Sequence, residues 1–227
     1  MPTFGLRVRW DDLELRLPDD AELLALADLA ADGVHNSEVV PFSWAWTRGT
    51  SEDVKRNVLA HKWKNRARAA PDDWVLSLAV VRNGEIVGEQ QISAKNFPVT
   101  RSAHTGSWLG LQHHGQGIGT RMRLMALHLA FEGLDAAEML SEAYDDNPAS
   151  NAVSRRVGYA ANGSRLVPRE GHSAIENRYR MAQELWDARP DDLRAEITLE
   201  GVLPVRELFG INQPKQFSSS THGSPGI

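Results

Sequence analysis

The residues best suited to chemistry lie in one stretch, Trp108-Leu109-Gly110-Leu111-Gln112-His113-His114-Gly115-Gln116-Gly117-Ile118-Gly119-Thr120. Gly115, Gly117 and Gly119 recur at alternate positions, which lets a chain turn tightly and bring its N–H groups close to a ligand. A helix beginning just after them aims its free N–H groups and the positive end of its dipole at the same place. Together these features make an anion cradle suited to a pyrophosphate, although a plain strand-to-helix turn uses the same residues. Two known phosphate loops fit poorly. A Rossmann turn needs G-x-G-x-x-G and an acid about 20 residues on, and the spacing here is G-x-G-x-G. A Walker loop needs a lysine after its glycines, and none follows these.

The 227 residues contain no cysteine, which excludes disulfide frameworks, zinc–thiolate sites, iron–sulfur clusters and thiol nucleophiles. Group transfer would then use another nucleophile or pass directly from donor to acceptor. His113 and His114 are adjacent, and His104 and His172 lack ligand spacing, so no metal is expected. Asp72-Asp73 and Asp191-Asp192 read as caps before helices or turns. The 25 basic and 30 acidic residues leave a net charge of −5. That balance argues against a general nucleic-acid or anionic-membrane binder, which needs surplus cations. No apolar run approaches the roughly 20 residues of a membrane-spanning helix. Met1-Pro2-Thr3-Phe4-Gly5 lacks the basic-then-apolar start of a signal peptide. The expectation is a soluble, cytoplasmic protein, and 41% hydrophobic with 24% charged residues excludes wholesale disorder.

Positioning these residues takes a scaffold. Leu13, Leu15 and Leu17 alternate with polar neighbours as in a strand. Asp19 and Asp20 open a helix through Leu26, and Thr50 with Asp53 resembles a capping box for a helix reaching about Ala69, which Pro71 stops. Between them, Gly33 to Arg48 is irregular and rich in aromatic residues. Trp74–Arg82 and Glu85–Ser93 read as strands joined by Asn83-Gly84, the strongest short hairpin signal. Ser102–Leu111 reads as a third strand, followed by the glycine turn and a helix from Thr120. Glu138–Ala143 is a short strand, and Asn147–Val157 a short helix closed by Gly158. Ala174–Met181 and Ala195–Leu199 read as late strands. The spacing predicts one α+β (mixed α/β) domain over residues 1–211 and a Ser/Gly/Pro-rich tail over 212–227.

His114-Gly115-Gln116-Gly117-Ile118-Gly119 resembles the acyl-CoA pyrophosphate motif Q/R-x-x-G-x-G/A of the GNAT superfamily of N-acetyltransferases, with His114 at the Gln/Arg position. Asp146-Asn147-Pro148-Ala149-Ser150, running on to Arg156-Val157-Gly158-Tyr159, is similar to the D-N-x-x-S…G-F/Y signature of its ribosomal-protein-acetyltransferase branch. The looser resemblance spans Leu13 to Met181. The strings Gly106–Leu111 and Asp146–Ser150 are also similar to a mycobacterial succinyltransferase of this family.

The resemblance implies a twisted, mostly antiparallel sheet splayed between two parallel strands, with acyl-CoA in the gap. Backbone groups at Leu109 and Leu111 would meet the pantetheine, and His114, Gly115, Gln116, Gly117, Ile118, Gly119 and Thr120 would hold the pyrophosphate. Asn147 and Ser150 would bind from the other side. It implies Glu142 as general base, with His104 in reserve, and Ser150 or Ser154 as the acid near the thiolate. A strand-end charge and ordinary cap or helix hydroxyls are the alternatives for these three. Phe42, Trp44 and Trp46 would wall an acceptor pocket, or else form aromatic core. A succinyl donor ends in a carboxylate that wants a cation, for which Arg48, Lys95 and Arg101 are the candidates. The resemblance thus implies transfer of an acetyl or succinyl group from CoA to a primary amine of a peptide, protein or small molecule. It also implies no metal and a homodimer or larger homo-oligomer. A silent CoA-binding sensor or interaction module on the same fold is the alternative.

Overall fold

Asn83 and Gly84 both adopt positive φ, 50° and 87°, the twist that a two-residue hairpin requires. They join β3 (Asp73–Arg82) to β4 (Glu85–Lys95) at the centre of the sheet. The structure, a computed structural model, describes residues 2–36 and 38–211; the tail expected over 212–227 lies outside the described residues. In chain order the other elements are β1 (Arg7–Trp10), β2 (Leu13–Arg16), α1 (Asp20–Asp32) and α2 (Ser51–Ala67) before the hairpin. After it come α3 (Phe97–Thr100), β5 (Ser102–Leu109), α4 (Ile118–His128), β6 (Glu138–Tyr144) and α5 (Pro148–Arg156). The chain continues through β7 (Ala160–Arg169), β8 (His172–Ala182), α6 (Gln183–Asp187), β9 (Thr198–Glu200) and α7 (Val202–Leu208).

The strands form one mixed sheet in the order β7-β8-β6-β5-β4-β3-β2-β1-β9. Every neighbouring pair is antiparallel except β5 and β6. This is the α+β architecture expected. Period-two alternation along β3 sorts the layers. Leu76, Leu78 and Val80 join Met122 and Met125 of α4 in the main core. Ser77, between them, accepts a 3.4 Å hydrogen bond from Asn65 of α2 on the opposite face. The capping boxes Asp19–Glu22 and Thr50–Asp53 start α1 and α2.

Several expectations shift. The strand expected through Leu111 stops at Leu109, because Gly110 opens a single 3₁₀ turn over Leu111–His113. The helix expected from Thr120 begins at Ile118, and the strand expected from Ala195 shrinks to Thr198–Glu200. β1 is too short to show a period, and β7 is exposed along nearly its whole length, so it carries no alternation.

A buried ion pair also crosses between α2 and the sheet. Lys62 and Glu89 are both buried and hydrogen-bonded to each other. Glu89 also accepts from Trp108 Nε1 at 2.9 Å and from the Gln91 amide at 2.6 Å. Burial pushes the Glu89 carboxyl up, but the charge of Lys62 and the hydrogen bonds outweigh it and hold the group below the usual carboxylate range. Removing one partner strands the other in a dry site, which costs about 3–5 kcal/mol. Lys62→Met therefore loses about that much in urea unfolding, and Lys62→Met with Glu89→Gln recovers part of it. A single-variant loss below about 1 kcal/mol contradicts the buried pairing.

Candidate active site

β5 and β6 pair in parallel over only four positions, from Ser102–Glu138 to Thr105–Ser141. β5 then runs on to Leu109 and β6 to Tyr144, so the two strands separate beyond Thr105. Backbone N–H and C=O groups freed this way take another partner. The gap opens into a cleft of 1030 Å³, at the top of the range of about 300–1,000 Å³ for small-molecule sites. At its mouth Gly115 and Gly117 have φ of 71° and 75° with open space where a Cβ would sit. Backbone conformation, rather than crowding, asks for glycine there. Gly117 precedes α4, and no side chain caps that helix start. Ile118, Gly119 and Thr120 line the cleft beside it. Arg82 donates to Gln116 Oε1 at 2.7 Å and Gln116 to the Gln112 carbonyl at 2.8 Å, which pins the turn.

The exposed His114 reaches back to the end of β5. Its Nε2 lies 3.0 Å from the Leu109 carbonyl; a carbonyl only accepts, so Nε2 carries the hydrogen. The side chain braces the end of β5. Leu111 lines the cleft; its N–H donates to the Gly33 carbonyl and its carbonyl accepts from the His114 N–H, so its carbonyl, with a second lone pair, is the backbone group it can still offer.

The facing wall carries Glu142, Asn147 and Ser150, all lining the cleft. Asn147 caps α5, its Oδ1 accepting from the Ser150 N–H at 3.1 Å. Glu142 lies 3.3 Å from Nδ1 of His104, which faces it from β5. Burial raises the Glu142 carboxyl, but the hydrogen bond with His104 and the charges of His104, Arg165 and Arg178 hold it below its ordinary range. Ser154 is fully buried, 3.4 Å from Ser141 Oγ, and lies outside the residues lining the cleft. One turn along α5 therefore separates a serine in the cleft from one beneath it.

The sequence model of the family described as "Acetyltransferase (GNAT) domain" matches residues 12–160. The chain belongs to this family. Solved structures share its fold at low identity. Mycobacterium smegmatis RimJ in complex with CoA-disulfide has a TM-score of 0.67 and 20% identity, over 81% of this chain and 90% of that one. RimL, a ribosomal L7/L12 alpha-N-protein acetyltransferase, has a TM-score of 0.57 and 22% identity, over 75% and 90%. A GNAT-family acetyltransferase from Bacillus anthracis has 0.61 and 16%, over 78% and 99%. Among the described residues no helix is long and apolar enough to cross a membrane.

On the α1–α2 face of this GNAT domain, Phe42 packs on Trp46 at 4.9 Å, Trp46 on Trp108 at 5.6 Å, and Trp44 on His61 at 5.6 Å. All three expected aromatic residues line the cleft. Trp46 is also core, 7% exposed among Ala27, Ala30, Val54 and Val58, whereas Trp44 is 44% exposed. Two residues at the tip of the β7–β8 hairpin, Arg169 ending β7 and Glu170 in the turn, clasp this segment. Arg169 donates to the Val40 carbonyl at 2.8 Å and to both oxygens of Asp146. Glu170 accepts from the Val40 N–H at 3.0 Å and from Arg48 Nε at 2.8 Å. Arg48 thus belongs to the clasp, Lys95 ends β4, and Arg101 lies over Phe97 near Asp135. None of the three lines the cleft, whereas Arg123 of α4 does.

The hydrogen bond from Arg48, then that from Val40, lowers the Glu170 carboxyl to about 2. Its contribution is complete above its ordinary value of 4.5 and is lost as pH falls through about 2. Glu170→Gln removes it at neutral pH. The expected result is Val40 amide exchange faster by roughly tenfold or more, with the β3–β4 amides unchanged. An unaltered Val40 rate contradicts the clasp.

Proposed function

We propose that this domain is an acyl-CoA-dependent N-acyltransferase, moving an acetyl or succinyl group to a primary amine by direct attack in a ternary complex. The reading rests on the parting of β5 from β6 beside an uncapped helix start and two left-handed glycines. Those three features suit a ligand with a pyrophosphate at one end and an amide-bearing arm that pairs with a strand edge. Residues 114–120 would face the pyrophosphate, and β5 near Leu109 with Asn147 and Ser150 would flank the arm. The ribosomal-protein acetyltransferases among its structural neighbours favour a peptide or protein amine as acceptor, and a small-molecule amine fits the same chemistry. The proposal includes a cytoplasmic location and a homodimeric or larger assembly, by analogy with that branch.

Bound CoA thioester supplies an activated acyl carbonyl. The amine nitrogen bonds to that carbon, the carbon–sulfur bond breaks, and one proton leaves the nitrogen while one reaches the sulfur. No cysteine exists to carry the acyl group. His104 and Glu142 form the proton-accepting couple. A carboxylate held below its ordinary range is a weak base near neutral pH, but it orients an imidazole well. Ser150, on the same wall as Glu142, is the hydroxyl for the departing sulfur. Phe42, Trp44 and Trp46 would grip the apolar part of the acceptor.

Thiol release, read without protein background, tests this with acetyl-CoA and succinyl-CoA across peptide and small-molecule amines. Turnover is expected with at least one amine, and His104→Ala lowers kcat by about 10²–10⁴. Burial raises the Glu142 carboxyl but His104 and the neighbouring charges hold it below its ordinary range, so an acid limb at pH 6–7 that survives in Glu142→Gln assigns the proton to another group. CoA binding without release across the panel contradicts catalysis and leaves a CoA-binding module.

A further inference from the structure

The cleft contains a cation that the proposed chemistry does not use. Arg123 of α4 is 3% exposed and reaches the point where β5 and β6 part. Its Nη1 donates to Ser141 Oγ on β6 and its Nη2 to Ser107 Oγ on β5, each at 3.0 Å. Ser141 meets Ser154, and the buried Tyr159 hydroxyl lies 3.4 Å from Thr105 on the same face. The partners of this guanidinium are neutral hydroxyls. Among the described residues no carboxylate pairs with it, Glu142 being engaged by His104, and its buried Nε has no hydrogen-bond partner.

A guanidinium stays charged in proteins and is costly to bury without a counterion. Its planar fork matches a carboxylate. The position narrows the ligand. Phosphates belong at the exposed turn before α4, more than a helical turn away from Arg123. The aromatic acceptor wall lies on the α1–α2 face, opposite the face that α4 covers. An anion at Arg123 must therefore be the buried end of whatever lies between the parted strands. We infer that Arg123 binds the terminal carboxylate of the acyl group, so that the cleft selects CoA thioesters of short dicarboxylic acids. This rests on the acyl-CoA reading of the site and assigns the specificity residue within it. The inference also replaces Arg48, Lys95 and Arg101, which lie elsewhere.

Calorimetric titration with free CoA, succinyl-CoA and butyryl-CoA, a neutral thioester of similar length, tests the assignment without needing the acceptor. Wild-type protein is expected to bind succinyl-CoA more tightly than butyryl-CoA by roughly tenfold to a hundredfold. In Arg123→Met that preference is lost or reversed while free CoA binds as before; Arg123→Lys keeps part of it. Equal binding of the two thioesters by the wild type overturns the assignment and leaves the acyl-CoA reading standing. Equal loss of both thioesters in Arg123→Met, with CoA still bound, makes Arg123 a strut between Ser107 and Ser141 and also overturns it. If no CoA species binds the wild type, the acyl-CoA reading falls, and this inference with it. The wild-type comparison decides the matter even if Arg123→Met fails to fold.

Discussion

Two parallel strands that stop pairing must offer their freed backbone groups something else to bind. In this chain the parting after Thr105 and Ser141 is held from both sides. β5 keeps six antiparallel positions with β4, from Gly88–Leu109 to Ser93–His104, and β6 keeps seven with β8, from Glu138–Ala182 to Tyr144–Glu176. Neither strand can close the gap without breaking a ladder on its other edge. Gly88 shows how tightly the outer edge is fitted, since a Cβ there would lie 2.3 Å from the Trp108 carbonyl oxygen. The remaining features of the site converge on that gap: the glycine turn at its mouth, α5 along one wall and Arg123 beneath its apex.

The two faces of the sheet divide the labour. On the α4 face an apolar core surrounds the Arg123 guanidinium, which hydroxyls of β5 and β6 accept from. On the α1–α2 face the buried Lys62–Glu89 pair fixes Trp108 through its indole N–H, and Trp108 supports Trp46 in turn. The acceptor-side aromatic segment is then tied to the β7–β8 turn across more than 120 residues of chain by Val40 and Arg48. Electrostatic pairs, rather than more apolar area, therefore shape the wall where specificity for an acceptor is expected.

Much of this was legible in the sequence because the signals were local. Asn83-Gly84, Thr50 with Asp53, and the alternate glycines each fix a backbone conformation through their own side chains or lack of them. The family motifs fell on the turn and on the start of α5, where the cleft is. What was not legible depends on registers between distant strands. Ser150 and Ser154 are equivalent on a helical wheel, and only packing against Ser141 buries one of them. His114 could be read as a ligand contact until the 3₁₀ turn brought it back to the Leu109 carbonyl. Arg123 hid among the apolar residues of an ordinary amphipathic pattern, and the signal that could have found it is a charge at a core position of α4. β7, exposed along nearly its whole length, leaves no pattern to read.

The central claim is that the parted backbone of β5 and the uncapped start of α4 together form the docking surface for CoA. Hydrogen–deuterium exchange with and without free CoA tests it most directly. The account predicts slowed exchange at Gly106–Leu109 and at Ile118–Thr120, with β1 and β9 unaffected. Binding that leaves those two segments unprotected, or that protects a different part of the chain, contradicts it.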